Sequence, residues 1–144
     1  MKNMVIFDAL QGMDAFMYMG HGSSLRTMPS SEIEKLRVRA MPLLFGCRSG
    51  QMSRMGRSLD PVGPACSYLI ASAPCILGFL WGVTDRDVDL WTVAFLKHWL
   101  STGQEGQARE KEFVKAVAEQ RHKFQRFVNS AATVVYGLPS IATD

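Results

Sequence analysis

Apolar positions fall into short uninterrupted runs separated by segments of helical periodicity. The runs at 14–19, 40–45 and 75–81 predict strands, and the last has the continuous apolar character of a fully buried strand. A short apolar element at 4–7 precedes them and a short final strand is predicted at 134–136. Strands that alternate with helices predict an α/β domain with a mainly parallel sheet flanked by helices.

Four helices are predicted: 31–36, 64–71, one that begins at Thr84, and a long charged helix at about 107–128. Ser31 and Glu34 have the spacing of a capping box at the start of the first of these. The helix after Thr84 should bury one face, because four large residues recur at helical spacing: Val88, Trp91, Phe95 and Trp99. The long helix should bury Phe113, Val117 and Phe124.

Residues 61–84 carry no charge, but three prolines and three glycines interrupt the run, which argues against a membrane-spanning helix. The 144 residues, 47% hydrophobic and 20% charged, are suited to one globular domain. Basic residues are interleaved with acids at a net charge of only +3, so no direct binding of nucleic acid is inferred. Three widely spaced cysteines indicate a reducing compartment, cytoplasm and nucleus.

Two reactive side chains follow predicted strands. His21 lies between two glycines after the strand at 14–19, and Cys47 follows Gly46 after the strand at 40–45. Ligands collect beyond the carboxyl ends of parallel strands, so the fold can bring these residues together as nucleophile and base. The backbone N–H groups of Gly22 and Cys47 are then the natural oxyanion donors.

A structural interpretation competes with this one. Three cysteines and three histidines allow several chance pairings, and a buried cysteine often packs as a small hydrophobe. Cys66 within a helix and Cys75 at the start of a buried strand are interpreted as structural. His98 lies near a helix end and His122 in a charged helix. No two His/Cys positions have the spacing of zinc ligands, and no metal or cofactor is expected.

An acidic stretch, Trp81 to Asp89, follows the strand at 75–81. Asp85 and Asp87 suit the first turn of a helix, where the macrodipole favours acids. The functional interpretation is a carboxylate pocket that selects a basic side chain by a bidentate contact with arginine. Asp85 and Asp89 are four residues apart and share a helix face, whereas Asp87 points elsewhere.

Four segments together resemble separase: 17–24 (MYMGHGSS), 43–50 (LLFGCRSG), 68–74 (YLIASAP) and 80–89 (LWGVTDRDVD). The terminal YGLP at 136–139 is similar to that family's end. The resemblance implies a caspase-like cysteine endopeptidase that cleaves the cohesin kleisin subunit after arginine at anaphase, with securin as inhibitor. It implies catalytic His21 and Cys47, oxyanion donors at Gly22 and Cys47, and an arginine pocket formed from Asp89, Asp85, Asp87 and Trp81.

Two departures from the family accompany this resemblance. Gly82 stands where separases commonly have aspartate after the tryptophan. Separases are also very large, so residues 1–144 are expected to be the C-terminal part of the peptidase domain, with the remainder of the separase chain as a partner. An inactive separase-like module that binds securin or substrate peptides is the alternative.

Overall fold

The computed structural model describes residues 2–24, 28–54, 56, 60–101, 111–138 and 141–142. They belong to two compact units, one made of residues 1–82 and 132–138 and the other of residues 83–131 and 139–144. In chain order the elements are α1 (Lys2–Gly12), β1 (Ala15–Met19), α2 (Ser30–Ile33), β2 (Met41–Phe45), α3 (Pro64–Ile70), β3 (Cys75–Phe79), α4 (Asp85–Trp99), β4 (Lys111–Glu112), α5 (Phe113–Gln120), a 3-10 turn (Arg121–Lys123), α6 (Phe127–Ala132), β5 (Thr133–Gly137) and β6 (Ile141–Ala142).

A four-stranded sheet forms the centre of the first unit, in the order β1-β2-β3-β5. The pairs β1–β2 and β2–β3 are parallel, and β5 runs antiparallel to β3. The prediction of a mainly parallel sheet flanked by helices is therefore confirmed. In the second unit, β4 and β6 form a short antiparallel pair.

Burial along the strands follows their position in the sheet. Every residue of β2 and of β3 is buried, as expected for central strands with continuous apolar sequences. Strand β1 alternates between exposed and half-buried residues, and among the described residues it pairs only with β2. The three helices of this unit contribute Leu10, Ile33 and Tyr68 to a common apolar core with Leu44 and Ile76.

The second unit is organised by aromatic packing on one face of α4. The four positions with helical spacing, Val88, Trp91, Phe95 and Trp99, are all buried. Trp91 stacks on Phe95 at a centroid distance of 5.1 Å, and the rings of Phe95 and Trp99 are 5.7 Å apart. Phe113 of α5 meets Trp99 edge-on at 5.1 Å. These contacts join α4 and α5 through large apolar surfaces.

Near the N-terminus, the predicted apolar element at 4–7 is part of the helix α1, in which Leu10 is fully buried. One local prediction there was wrong. Ser31 and Glu34 do not form a capping box, because α2 begins at Ser30 with Pro29 as the N-cap and without a side-chain cap bond.

The prediction of a long helix at 107–128 is also wrong. Residues 107–110 lie outside the described part of the chain, and residues 111–128 are divided among β4, α5, the 3-10 turn, a non-helical link at 124–126 and the start of α6. Phe124 adopts an extended backbone and stacks on Trp91 at 5.0 Å. The carboxylate of Asp87 accepts the backbone N–H groups of Gln125 (3.1 Å) and Arg126 (3.3 Å), which a continuous helix would direct at its own carbonyls.

Among the described residues, no helix combines the length and the apolar character that crossing a bilayer demands. The uncharged run at 61–84 instead supplies α3 and the buried strand β3.

Replacing Asp87 by alanine should destabilise the second unit. Asp87 is 3% exposed and also accepts the Asn129 amide at 2.6 Å, so its loss leaves several buried donors without an acceptor. We expect a cost of about 2–4 kcal/mol, combining penalties of roughly 1–3 kcal/mol per unsatisfied group. Hydrogen exchange of the backbone amides at 113–131 measures this loss of stability. Asp89→Ala, at an exposed position on the same helix, is the control. Equal protection in both variants would contradict the assigned role of Asp87.

Candidate active site

The register of β1 and β2 determines where His21 and Cys47 lie. Each paired position in β2 lies 26 residues after its partner in β1, as Ala15 with Met41 and Met19 with Phe45. His21 and Cys47 are separated by the same 26 residues, and each follows the last residue of its strand by two positions. Because the strands are parallel and adjacent, both residues emerge at the same edge of the sheet.

The two loops that carry these residues are in close backbone contact. A Cβ atom added at Gly46 would collide with the carbonyl oxygen of Gly22 and lie 2.9 Å from that of Gly20. Only glycine permits this approach. Gly22 also has a φ of +72°, which residues with a side chain rarely adopt. The glycines on either side of His21 and before Cys47 therefore allow the loops to meet.

Ser49 fixes the loop after Cys47. Its side chain is fully buried, and its Oγ donates to the Leu44 carbonyl at 2.8 Å and accepts the Phe79 N–H at 3.1 Å. The Trp81 carbonyl accepts the N–H of Arg48 at 3.2 Å. Arg48 has a positive φ of 61°, so the turn that presents Cys47 is held in a conformation that the free chain disfavours.

Glycines also let this loop pack directly on β3. A Cβ at Gly78 would lie 2.7 Å from the Gly50 nitrogen and 3.0 Å from Ser49 Oγ. The Gly50 N–H donates to the Phe79 carbonyl at 2.9 Å, and the Tyr136 hydroxyl donates to the Gly50 carbonyl at 3.0 Å. Strands β3 and β5 thereby support the turn that follows Cys47.

The loop after His21 is anchored at both of its ends. The Tyr18 hydroxyl donates to the His21 carbonyl at 3.1 Å. Ser24 is buried with a φ of +66°, and its Oγ lies 3.1 Å from the Tyr68 hydroxyl of α3. Burial raises the pKa of Tyr68 above its ordinary value, against the opposing effect of the Ser24 hydrogen bond. The phenol therefore stays protonated as a hydrogen-bonding partner for Ser24.

A pocket of about 330 Å³ opens beside Cys47. It is lined by Gly22, Ser23, Cys47, Arg48, Gln51, Ser53, Val62, Gly63 and Pro64. Backbone bonds between Ser53 and Val62, 2.9 and 3.0 Å long, close the base of the loop on one side of it. Cys47 is half-buried and the His21 side chain is exposed. This pocket gives a peptide access to the Cys47 thiol and to the backbone N–H group of the same residue. His21 lies on the adjoining loop.

The acidic stretch divides into two kinds of residue. Asp85 and Asp89 are exposed in the first turns of α4, whereas Asp87 is buried against the start of α6. A contact of Asp87 with substrate stays a prediction, and the described hydrogen bonds give its carboxylate a structural role. The Trp81 side chain is exposed, while its carbonyl bonds the Arg48 turn.

His21 is not among the residues that line this pocket, and neither are the remaining cysteine and histidine side chains. Cys66 is within α3 and Cys75 is buried in β3. His98 Nε2 bonds the Glu119 carboxylate at 2.8 Å, and His122 Nδ1 donates to the Glu119 carbonyl at 2.7 Å. Ser24, Ser49 and Tyr68 lie in the segments that resemble separase, but sequence reasoning missed their supporting roles, because Ser24 and Tyr68 are 44 residues apart and Ser49 and Phe79 are 30 apart.

Comparison with known proteins decides the family. Residues 2–88 match the protein family described as Separin, protease domain. The chain is 37% identical over 138 residues to Separin of Mus musculus, an alignment that covers 91% of this chain and 6% of the mouse protein. The chain belongs to the separin protease-domain family. Separin of Emericella nidulans is 33% identical, with 93% of this chain and 7% of the fungal protein covered.

The fold agrees with this family. The crystal structure of the Saccharomyces cerevisiae separase-securin complex superposes with a TM-score of 0.82 at 33% identity. The match covers 94% of this chain and 9% of that chain. The mixed sheet with flanking helices is thus the caspase-like fold of a protease family, as predicted. The chain spans less than a tenth of the length of these relatives.

Gly82, where the family commonly has aspartate, occupies open space. A Cβ atom there would meet nothing within 4 Å, and the backbone has no positive φ. The position therefore tolerates a side chain, and crowding does not account for the glycine.

Replacing Gly46 by alanine should separate the two loops. Its Cβ would collide with the Gly22 backbone, which cannot rotate away as a side chain can. We expect a loss of about 1–3 kcal/mol in stability from overpacking and at least about 100-fold in peptidase activity. Gly82→Ala is the matched control and should change neither quantity. Thermal unfolding and peptide hydrolysis by the full-length protein measure both, and normal activity of Gly46→Ala would contradict the described loop contact.

Proposed function

We propose that this chain carries the active site of a cysteine endopeptidase of separase type, with Cys47 as the nucleophile and His21 as the proton carrier. The observation that supports the proposal best is the shared 26-residue offset of strand pairing and of the His–Cys spacing. The glycine contact between the two loops supports it further, as does the pocket beside the half-buried thiol.

The proposed reaction is acyl transfer to sulfur. The Cys47 thiol gives its proton to His21 and attacks the scissile carbonyl, forming a carbon–sulfur bond. The N–H groups of Gly22 and Cys47 donate to the oxyanion. His21 then protonates the leaving amine as the carbon–nitrogen bond breaks. Water hydrolyses the thioester and restores the thiol.

The proposed substrate is the cohesin kleisin subunit, cleaved after arginine to release sister chromatids, with securin as the inhibitory partner. Support comes from membership of the separin family and from the structural neighbours, which are separase-securin complexes. Asp89 and Asp85 are proposed to bind the arginine side chain, because both carboxylates are exposed on one face of α4. The enzyme is proposed to act in the cytoplasm and nucleus.

Cys47→Ser and His21→Ala should abolish cleavage by the full-length protein, because each removes one participant in thioester formation. An arginyl acyloxymethyl ketone should label Cys47 in the wild type, and peptide mapping identifies the site. Cys66→Ala is the matched control, since Cys66 is also half-buried, and it should retain activity and labelling. Cys75→Ala should be active as well.

Two outcomes would contradict the assignment. Labelling at Cys66 would instead identify this cysteine of α3 as the nucleophile. An absence of labelling at any cysteine, with securin binding retained, would favour the alternative function of an inactive binding module.

Asp89→Asn should lower turnover of arginine peptides by at least about 100-fold, equivalent to about 2.7 kcal/mol. Removing the carboxylate leaves the arginine charge unpaired in the complex. A peptide series that varies only the residue before the scissile bond, run on wild type, Asp85→Asn and Asp89→Asn, measures the effect. Lysine should be a much poorer substrate residue than arginine, because an ammonium group cannot match the fork geometry. Normal cleavage by both variants would show that arginine is bound elsewhere.

A further inference from the structure

Arg48 brings a positive charge to the pocket beside the candidate nucleophile. It follows Cys47 directly in the chain, it is exposed, and it lines the pocket of about 330 Å³ together with Cys47. Apart from the thiol, Arg48 is the only ionisable residue in the described lining, which contains no aspartate or glutamate. The proposed reaction uses the thiol, a histidine and backbone N–H groups, and leaves the Arg48 guanidinium without a part.

The guanidinium of Arg48 has no partner within the described part of the chain. The hydrogen bonds of this residue are made by its backbone: its N–H donates to the Trp81 carbonyl at 3.2 Å, and its carbonyl accepts the Gln51 N–H at 3.1 Å. No hydrogen bond or ion pair of the described residues involves its side chain. The backbone at Arg48 is therefore held while the side chain is available to a ligand.

The acids of the same unit do not neutralise Arg48. That unit, residues 1–82 and 132–138, has five: Asp8, Asp14, Glu32, Glu34 and Asp60. Asp14 pairs with an arginine at 2.6 Å, Glu32 pairs with a lysine at 2.8 Å, and Glu34 accepts a serine hydroxyl at 2.8 Å. Neither Asp8 nor Asp60 forms an ion pair with Arg48. The positive charge at the pocket is thus uncompensated by this unit.

A carboxylate is the substrate group that matches this lining. A guanidinium presents its N–H donors in a planar fork that fits the two oxygens of a carboxylate. Ser23, Gln51 and Ser53 add hydroxyl and amide groups to the lining, and these can also donate. The substrate arginine is poorly suited to this pocket, because it would bring a second cation against Arg48. The pocket therefore suits a neighbour of the substrate arginine and not the arginine itself.

The position of Arg48 in the chain limits which substrate residues its side chain can reach. Consecutive Cα atoms are about 3.8 Å apart, so Arg48 begins close to the thiol that attacks the scissile carbonyl. An extended peptide advances about 3.3–3.6 Å per residue, so a side chain from this point reaches about two residues to either side of the scissile bond. A more distant substrate residue lies beyond it.

We propose that Arg48 is a specificity-determining residue that binds an aspartate or glutamate side chain within about two residues of the scissile bond. This role rests on the proposed peptidase function and adds to it a second charged residue of the substrate, distinct from arginine. Because the backbone of Arg48 is already held by Trp81 and Gln51, little of the binding free energy is lost in ordering it.

Hydrolysis of a series of arginine peptides by the full-length protein tests this role. One position varies at a time, either the residue before the arginine or one of the two residues after the scissile bond, and it carries glutamate, glutamine or lysine. For at least one of these positions, kcat/KM should be at least about tenfold higher with glutamate than with glutamine, because the neutral amide loses the charge-assisted contact. Lysine should be poorer than glutamine, because it is repelled by Arg48.

Two variants connect this preference to Arg48. Arg48→Gln should bring the glutamate-to-glutamine ratio to within about twofold of unity, and Arg48→Glu should reverse the preference towards lysine. Both keep an unbranched side chain at the positive φ of this position, so the turn carries similar strain. Labelling of Cys47 by the arginyl acyloxymethyl ketone checks that the active site is intact. Should either variant lose labelling, Arg48→Lys keeps the cation and should still favour glutamate over glutamine.

Arg54→Gln is the matched control. Arg54 is an exposed arginine of the same loop, but it is not among the residues that line the pocket. Its replacement removes the same charge and should leave the glutamate-to-glutamine ratio at the wild-type value. A second control moves the glutamate to five residues before the scissile bond, where any effect on kcat/KM should be the same in wild type and Arg48→Gln.

Three results would overturn the role of Arg48 while leaving the peptidase function intact. The first is equal hydrolysis of glutamate and glutamine peptides by the wild type at all three positions. The second is a glutamate preference that Arg48→Gln retains. The third is its loss in Arg54→Gln to the same extent, which would assign the preference to the general charge of the loop. By contrast, no hydrolysis of any peptide and no labelling of Cys47 in the wild type would refute the proposed function itself.

Discussion

Parallel pairing of β1 with β2 is the constraint on which the candidate active site depends. The pairing aligns positions that are 26 residues apart, and it carries two loops of different sequence to one edge of the sheet. Gly46 then permits backbone contact with Gly22 that any side chain would prevent. A displacement by one residue would reverse the faces of a strand and separate the histidine loop from the cysteine loop. The relative placement of the two candidate residues therefore follows from strand register before any side-chain contact.

The support for the cysteine loop comes from β3, the strand that lies next to β2 in the sheet. Ser49 joins β2 to β3 through one hydroxyl that both donates and accepts, and Gly78 allows Gly50 to lie directly on β3. These contacts compensate for the positive φ of Arg48, which a free chain would avoid. The sheet thus holds the turn that follows Cys47, and the bridged residues Ser53 and Val62 are among those that line the pocket beside it.

Asp87 shows how a short acidic stretch can serve different purposes. Asp85 and Asp89 are exposed. Asp87, between them, is buried in its unit and holds the start of α6 by hydrogen bonds. The same bonds hold the backbone immediately before Phe127. One buried carboxylate therefore contributes to the break in the helical segment, together with the stacking of Phe124 on Trp91.

The strands β2 and β3, the helix α4 and the separin resemblance could be predicted from the sequence, because apolar runs, helical spacing and local motifs are properties of neighbouring residues. The candidate pair His21 and Cys47 was found in the same way, from strand ends marked by glycine. Tertiary structure alone decided the break at Phe124, since it depends on Asp87 and Trp91, more than thirty residues earlier in the chain. It also decided the roles of Ser49, Ser24 and Tyr68, whose hydrogen-bonding partners only folding brings within reach.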